Sequence, residues 1–216
     1  MTRKQRASVI ADRLDALYPD AKCLLDYGGD PRRLLLATVL SAQTTDDSVN
    51  RVTPLLWERW PDLESLAAAK QVEVEKIIHP LGFFRSKARS LRGAAGWLLE
   101  HHAGQVPSSM EDLLRVPGVG RKTANVVRGE AFGLPALIVD THVKRLSFRL
   151  ALAASQDPDR IEADLARVVP SARRTAFSHG LGFHGRRVCM ARAPRCASCA
   201  LLDLCPRNGL GRVRIT

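Results

Sequence analysis

Helical spacing runs along almost the whole chain, and no stretch alternates apolar and polar residues long enough to form a strand. Val9, Ile10, Leu14, Leu17 and Tyr18 make one apolar stripe; Val49, Val52, Leu55 and Leu56 make another. Between such stripes lie recurrent helix starts. Asp30-Pro31 joins an N-cap acceptor to a proline at the first helical position, where its missing N–H costs nothing. Thr45 before Asp46 and Asp47, Pro61, Ser86, a Ser108-to-Glu111 capping box, Asp140 and Asp157-Pro158 mark further starts. Gly82, Gly104 and Gly133 mark stops. The pattern predicts an all-α fold of roughly nine to eleven helices joined by short loops.

At 216 residues with 45% apolar content, the chain suits one domain or two small ones and is too apolar to stay disordered. Composition marks no clean linker, repeat or low-complexity stretch. No apolar run reaches the roughly 18 residues of a membrane helix. The N-terminal MTRKQRASVIADRL passes directly into an amphipathic stripe, unlike a secretory signal, so a cytoplasmic protein without a membrane partner is expected.

The formal net charge of +11 rests mainly on arginine, since only seven of the 33 basic residues are lysines. From residue 185 onward, Arg186, Arg187, Arg192, Arg195, Arg207, Arg212 and Arg214 face a single acid, Asp203. Such a field attracts polyanions. A solvated basic tail would carry the same charge, but this one also holds cysteines, which favours nucleic-acid binding.

RVPGVGRKTANVV, residues 115–127, has the ingredients of a phosphate cradle. It is not a nucleotide loop of the GxxxxGK[ST] kind: a helix, SSMEDLLR, precedes it where a strand is required, and the spacing from Gly118 to Lys122 is wrong. What remains is a helix, a Pro-Gly-Val-Gly turn and a second helix. Gly118 and Gly120 permit positive φ and leave their amides bare, so these amides and the next helix's N-terminus can grip a phosphate oxygen. Gly118, Gly120, Arg121 and Thr123 are the expected backbone contacts; the alternative is an ordinary interhelical turn.

Lys122 stands in the first turn of that second helix, in a chain that elsewhere prefers arginine. Arginine would clasp a phosphate as well, but its guanidinium cannot lose a proton to become a nucleophile, and an amine can. The helix dipole disfavours the ammonium there, while bound phosphates act in the opposite sense. From the residues alone, a phosphate-gripping lysine and a Schiff-base lysine are equally supported. Asp140, in LIVDTHVKRL, starts a later helix and reads either as a plain cap or as a carboxylate that stabilises a developing cation.

Cys189, Cys196, Cys199 and Cys205 leave intervening gaps of six, two and five residues. Four thiols in so short a stretch of an intracellular chain point to metal and not to disulfides. Spacing leaves a zinc site and an iron–sulfur cluster open. With only one Cys-x-x-Cys knuckle, the cluster is favoured. Metal ligation at both ends of the loop carrying Arg192 and Arg195 would hold those charges rigidly. Cys23 stands apart and reads as a buried small hydrophobe.

LSAQTTD (40–46), VPGVGRKTANVV (116–127), VDTHVKR (139–145), HGRRVC (184–189) and the 6-2-5 cysteine spacing together resemble the endonuclease III branch of the helix-hairpin-helix DNA glycosylases, over nearly the whole chain. The resemblance implies two helical lobes: a six-helix barrel with the hairpin (24–134), and a lobe built from both termini (1–23 and 135–216) around a [4Fe–4S] cluster held by the four cysteines. It implies a monomer that takes double-stranded DNA with damaged bases or abasic sites across its cleft. Lys122 would attack C1′ of an oxidised pyrimidine nucleotide, Asp140 would stabilise the charge, and β-elimination would follow. Gln43 would fill the vacated base stack. Phe83 would be the wedge, where a leucine is the expected residue. Otherwise Gln43 reads as a polar helix end and Phe83 as a core aromatic. His142 and His184 fall in the matched motifs and read as packed hydrogen-bonding residues without a catalytic role.

Two alternatives compete. An adenine-removing relative shares the hairpin, aspartate and cluster, but has a glutamate where Thr38 stands, usually lacks the lysine, and carries an extra C-terminal domain. A non-catalytic iron–sulfur DNA-binding module would use Lys122 for a phosphate and Asp140 as a cap. Covalent trapping on DNA separates catalyst from binder.

Overall fold

A computed structural model describes residues 1–210 of the chain; Arg212 and Arg214 lie outside the described residues. Among the described residues there are eleven α-helices, three short 3₁₀ turns and no strand. The chain divides into two compact units, residues 24–134 and residues 1–23 with 135–216.

The contiguous unit is organised on α2, Pro31–Leu40. Every residue from Leu34 to Leu40 is buried, as LLLATVL demands: a helix apolar on all sides has to lie inside. Asp30 caps it by accepting from the Arg32 amide, and buried Thr38 satisfies its hydroxyl on Leu34 O at 2.7 Å. Around it run α3 (Asp46–Arg59), α4 (Leu63–Ala68), α5 (Gln71–Ile78), α6 (Phe84–His102), α7 (Met110–Arg115) and α8 (Arg121–Phe132). Helix α6 packs on α2, α4 and α5, while α8 packs on α2 and α7. Leu56, Ile78, Leu91, Leu98 and Leu113 are fully buried, each contributing about 1.5–3 kcal/mol of apolar burial.

Several local expectations shift. Leu55 is 53% exposed; the buried stripe of α3 is Val49, Val52, Thr53 and Leu56, which keeps the i, i+3, i+4, i+7 rhythm that Leu55 breaks. Asp62 and not Pro61 caps α4, accepting from the Ser65 amide at 2.7 Å. Ser109 and not Ser108 caps α7, accepting from Asp112 N, because SSMED offers the same pattern in two registers. Ser86 lies inside α6, which starts instead at a left-handed backbone turn on Phe83 with no side-chain cap.

The other unit joins α1 (Arg3–Leu17) to α9 (Thr141–Arg149), α10 (Pro158–Val168) and α11 (Arg174–Arg187). Thr2 caps α1 in a reciprocal box with Gln5. Ile10, Leu14, Leu146, Ile161, Leu165, Phe177 and Leu181 share one core. In α1 the buried stripe is Ala7, Ile10, Ala11, Leu14 and Tyr18; Leu17, expected on it, is 43% exposed. Helix α11 approaches α1 so closely that a Cβ on Gly180 would stand 3.0 Å from that of Leu14. Arg173 adds ion pairs to Asp12 and Asp15. Cys23 is half-buried and not the buried residue expected.

Candidate functional site

The hairpin turn between α7 and α8 is seated on α2 and α6. Gly118 has φ of +82°, and a Cβ there would lie 2.7 Å from Ser90 Cβ and 3.1 Å from Val39 Cγ1. Backbone conformation and close approach therefore both require glycine. Beside it, Gly93 of α6 leaves room for Pro117, and Val116 and Val119 are buried. Gly120 differs from the expectation of positive φ. It is extended, with φ −100° and ψ 176°, and open space surrounds the position of a Cβ. As the N-cap of α8 it brings no side-chain acceptor, so the first amides of the helix are left for an external one.

Lys122 follows in the first turn of α8. Its side chain is exposed and has no hydrogen bond or ion pair among the described residues. Arg121 is exposed beside it and Thr123 is half-buried. The amine is thus exposed in the first turn of the helix that Gly120 opens without a side-chain cap.

Two more exposed side chains of this unit stand on strained backbone. Gln43, in the loop from α2 to α3, has φ of +54°; Phe83, ahead of α6, has φ of +47° and is 68% exposed. Non-glycine residues in this region cost about 1–2 kcal/mol each, a strain that the surrounding structure has to hold. Phe83 is therefore not a core aromatic, and Gln43 is not a helix end.

Asp140 belongs to the other unit. Buried residues Ala136 to Val139 lead to it, and the Ile138 amide donates to Ser178 Oγ. Asp140 Oδ1 accepts from the Val143 amide at 2.7 Å, which makes it the N-cap of α9. His142, one turn in, contacts Arg145 at 3.1 Å; burial foremost holds its pKa below the ordinary value.

The thiols of Cys189, Cys196, Cys199 and Cys205 line one small, mostly apolar cavity with Val188, Pro194, Leu202 and Leu210. Burial foremost, with the neighbouring sulfurs, sets the Cys199 and Cys205 thiols above their ordinary pKa, against backbone hydrogen bonds that act to lower it. No group of three or more Cys, His, Asp or Glu side chains among the described residues is arranged to hold a single metal ion. Buried His184 reaches Tyr18 OH through Nδ1 at 2.9 Å and Cys199 Sγ through Nε2 at 3.3 Å. Burial lowers its pKa to about 4, so the ring is neutral near pH 7. The tautomer that accepts from Tyr18 and donates to sulfur satisfies both contacts. In the loop between the first two cysteines, Arg192 and Arg195 are exposed.

Three residues were not legible as functional from the sequence. Arg145 donates to Gly185 O and Cys189 O, and Arg149 donates to Met190 O and Ala191 O with a further contact to Cys189 Sγ at 3.3 Å. Their i, i+4 spacing on α9 was the available signal, yet it does not say which loop they reach. Lys87 is 5% exposed inside α6. It shares the spacing of Leu91, Ala94 and Leu98, which marks it as inward-facing.

Residues 36–171 match the model of the HhH-GPD superfamily base excision DNA repair proteins. Endonuclease III of Synechocystis sp. is 52% identical over 95% of this chain and 94% of its own length. Endonuclease III of Bacillus subtilis is 41% identical over 93% and 91%. A solved structure of a trapped endonuclease III–DNA covalent intermediate superposes with a TM-score of 0.90 at 39% identity, covering 96% of this chain and 97% of that one. With an all-helical fold, a glycine-built hairpin carrying an exposed lysine and relatives this similar along nearly their full lengths, the chain belongs to the endonuclease III family of the HhH-GPD superfamily of base excision DNA repair proteins.

Proposed function

We propose that this base excision repair DNA glycosylase and AP lyase removes oxidised pyrimidines from duplex DNA through a Schiff base on Lys122. The observation that carries this reading is the exposed Lys122 amine, unpaired among the described residues, on a turn that presents bare amides. Those amides suit a sugar-phosphate backbone and read no base edge. A solved relative held covalently to DNA makes a protein nucleophile the natural chemistry for the family.

Neutral Lys122 Nζ attacks C1′ as the glycosidic bond breaks and its electron pair leaves with the base. Opening of the sugar ring gives an iminium between Nζ and C1′. The iminium acidifies C2′; loss of a 2′ proton expels the 3′ oxygen, and the strand breaks by β-elimination. Asp140 is the carboxylate assigned to the developing sugar cation. Its Oδ1 is occupied by the Val143 amide, which fixes the group and leaves Oδ2 for the reaction. Gln43 and Phe83 fill and prise the base stack, and their exposed, pre-strained conformations support that role. Thr38, buried and bonded to Leu34 O, is not placed to replace the glutamate of the adenine-removing branch.

The four cysteines are the residues that would hold a [4Fe–4S] cluster. The four thiols, that of Cys196 buried and the others half-buried, line one cavity, and the Arg149 guanidinium beside Cys189 Sγ suits a sulfur that is thiolate. Bound there, a cluster would supply the positive charge that keeps four thiolates together, and Cys189 and Cys196 as its ligands would hold both ends of the loop carrying Arg192 and Arg195.

The test is reduction with borohydride during incubation with a thymine-glycol duplex. Wild-type protein is expected to yield a covalent adduct mapping to Lys122. Lys122→Ala is expected to bind duplex normally and yield neither adduct nor strand cleavage, while keeping its stability within about 0.5 kcal/mol, as for an exposed side chain. An adduct that persists in Lys122→Ala would assign the chemistry to another amine.

A further inference from the structure

Lys87 is a buried cation with no carboxylate partner among the described residues, and the chemistry above makes no use of it. Its ammonium donates to Thr44 Oγ1 at 2.5 Å and to Leu81 O at 2.9 Å. Thr44 Oγ1 in turn donates to the same Leu81 O at 2.7 Å, with a longer contact to Ala42 O at 3.3 Å. Three groups from three places in the sequence thus close on one another. Thr44 is the neighbour of Gln43, and Leu81 lies two residues before Phe83, so each strained, exposed side chain is adjacent to this junction. Burial pushes the Lys87 pKa down from its ordinary value.

We propose that Lys87 is a positioning residue that locks the Gln43 loop and the Phe83 loop into one rigid two-pronged wedge, so that both side chains enter the base stack together. The proposal rests on Gln43 and Phe83 acting on the stack, as argued above. Without the junction, each loop relaxes its left-handed residue independently, and the prongs lose their fixed separation. Lys87 touches neither DNA nor the reacting atoms; its effect is confined to opening the duplex.

The experiment is stopped-flow fluorescence with 2-aminopurine beside a thymine glycol in duplex DNA, run in parallel with cleavage of a single-stranded abasic oligonucleotide that needs no opening. Lys87→Met keeps the length of the side chain and removes its donors. Thr44→Val removes the second member of the junction from a half-buried loop and guards against a folding defect in the first variant. Each is expected to slow the fluorescence rise by about tenfold. The double variant should be no slower than Lys87→Met, and single-strand cleavage should stay within about twofold of wild type. An unchanged rise, or an equal slowing on both substrates, overturns the proposal. Gln43→Ala and Phe83→Ala are measured alongside. If they slow opening while Lys87→Met and Thr44→Val do not, only the junction is refuted; if they too leave it unchanged, the wedge assignment itself is refuted.

Discussion

Adding one methyl group at Gly118 separates the two demands made on the hairpin turn. The backbone there has φ of +82°, which costs an L-residue about 1–2 kcal/mol. The new Cβ would also stand 2.7 Å from Ser90 Cβ on α6 and 3.1 Å from Val39 Cγ1 on the buried α2, an overpacking that costs about 1–3 kcal/mol. Gly118→Ala should therefore destabilise the protein by roughly 2–5 kcal/mol, seen as a fall in Tm of roughly 5–15 °C for a chain of this size. Gly120→Ala is the control two residues away. Its backbone is extended and its Cβ would meet nothing, so the loss of a good N-cap, about 1 kcal/mol, is offset by the stiffer unfolded chain. Its Tm should stay within about 3 °C of wild type while duplex binding weakens, because the methyl points where a phosphate would sit. Combining Gly118→Ala with Ser90→Gly should recover the overpacking share and leave the backbone share, a coupling of at least about 1 kcal/mol by double-mutant cycle. Equal Tm losses at the two glycines, or strict additivity of the pair, would refute the account of why this turn is built from glycine.

Asp140→Asn should still cap α9, since a side-chain oxygen remains for the Val143 amide, but base release should slow by about tenfold or more; unchanged release kinetics would leave Asp140 a cap alone. Replacing Arg192 and Arg195 together with alanine should weaken binding on every duplex and flatten the salt dependence by up to about 1.8 in log–log slope, read from binding isotherms at several ionic strengths; an identical slope would place that loop off the DNA. Cys199→Ser should yield protein with much lower iron and acid-labile sulfide, assayed chemically on the purified protein, and equal content in wild type and variant would remove Cys199 from the ligand set.

Where a side chain both signals and makes the structure, the sequence was legible. Asp30, Thr45, Asp140 and Asp157 were readable as caps because each is an acceptor that bonds an amide two or three residues on. The hairpin was readable because glycines and a lysine have few substitutes there. Legibility failed where backbone alone decides. Helix α6 begins on a left-handed Phe83 that no cap residue announces, and α5 begins after Lys70 with no side-chain cap at all. It failed again for groups whose partners are distant in sequence. Nothing local to Lys87 names Thr44 or Leu81, and nothing in α9 names the carbonyls that Arg145 and Arg149 clasp. The four thiols were legible as a set, but only folding brings them around one cavity.

Helix α1 has an implication for the order of events during synthesis. Its Ile10 and Leu14 complete a core with Phe177 and Leu181, and its Asp12 and Asp15 await Arg173. A ribosome releases residues 24–134 as one uninterrupted run able to collapse early, while the first helix must wait, its apolar face unshielded, until some 160 further residues have emerged. Losing that helix would cost the late-forming unit its inner lining and leave the early one its full complement of chain.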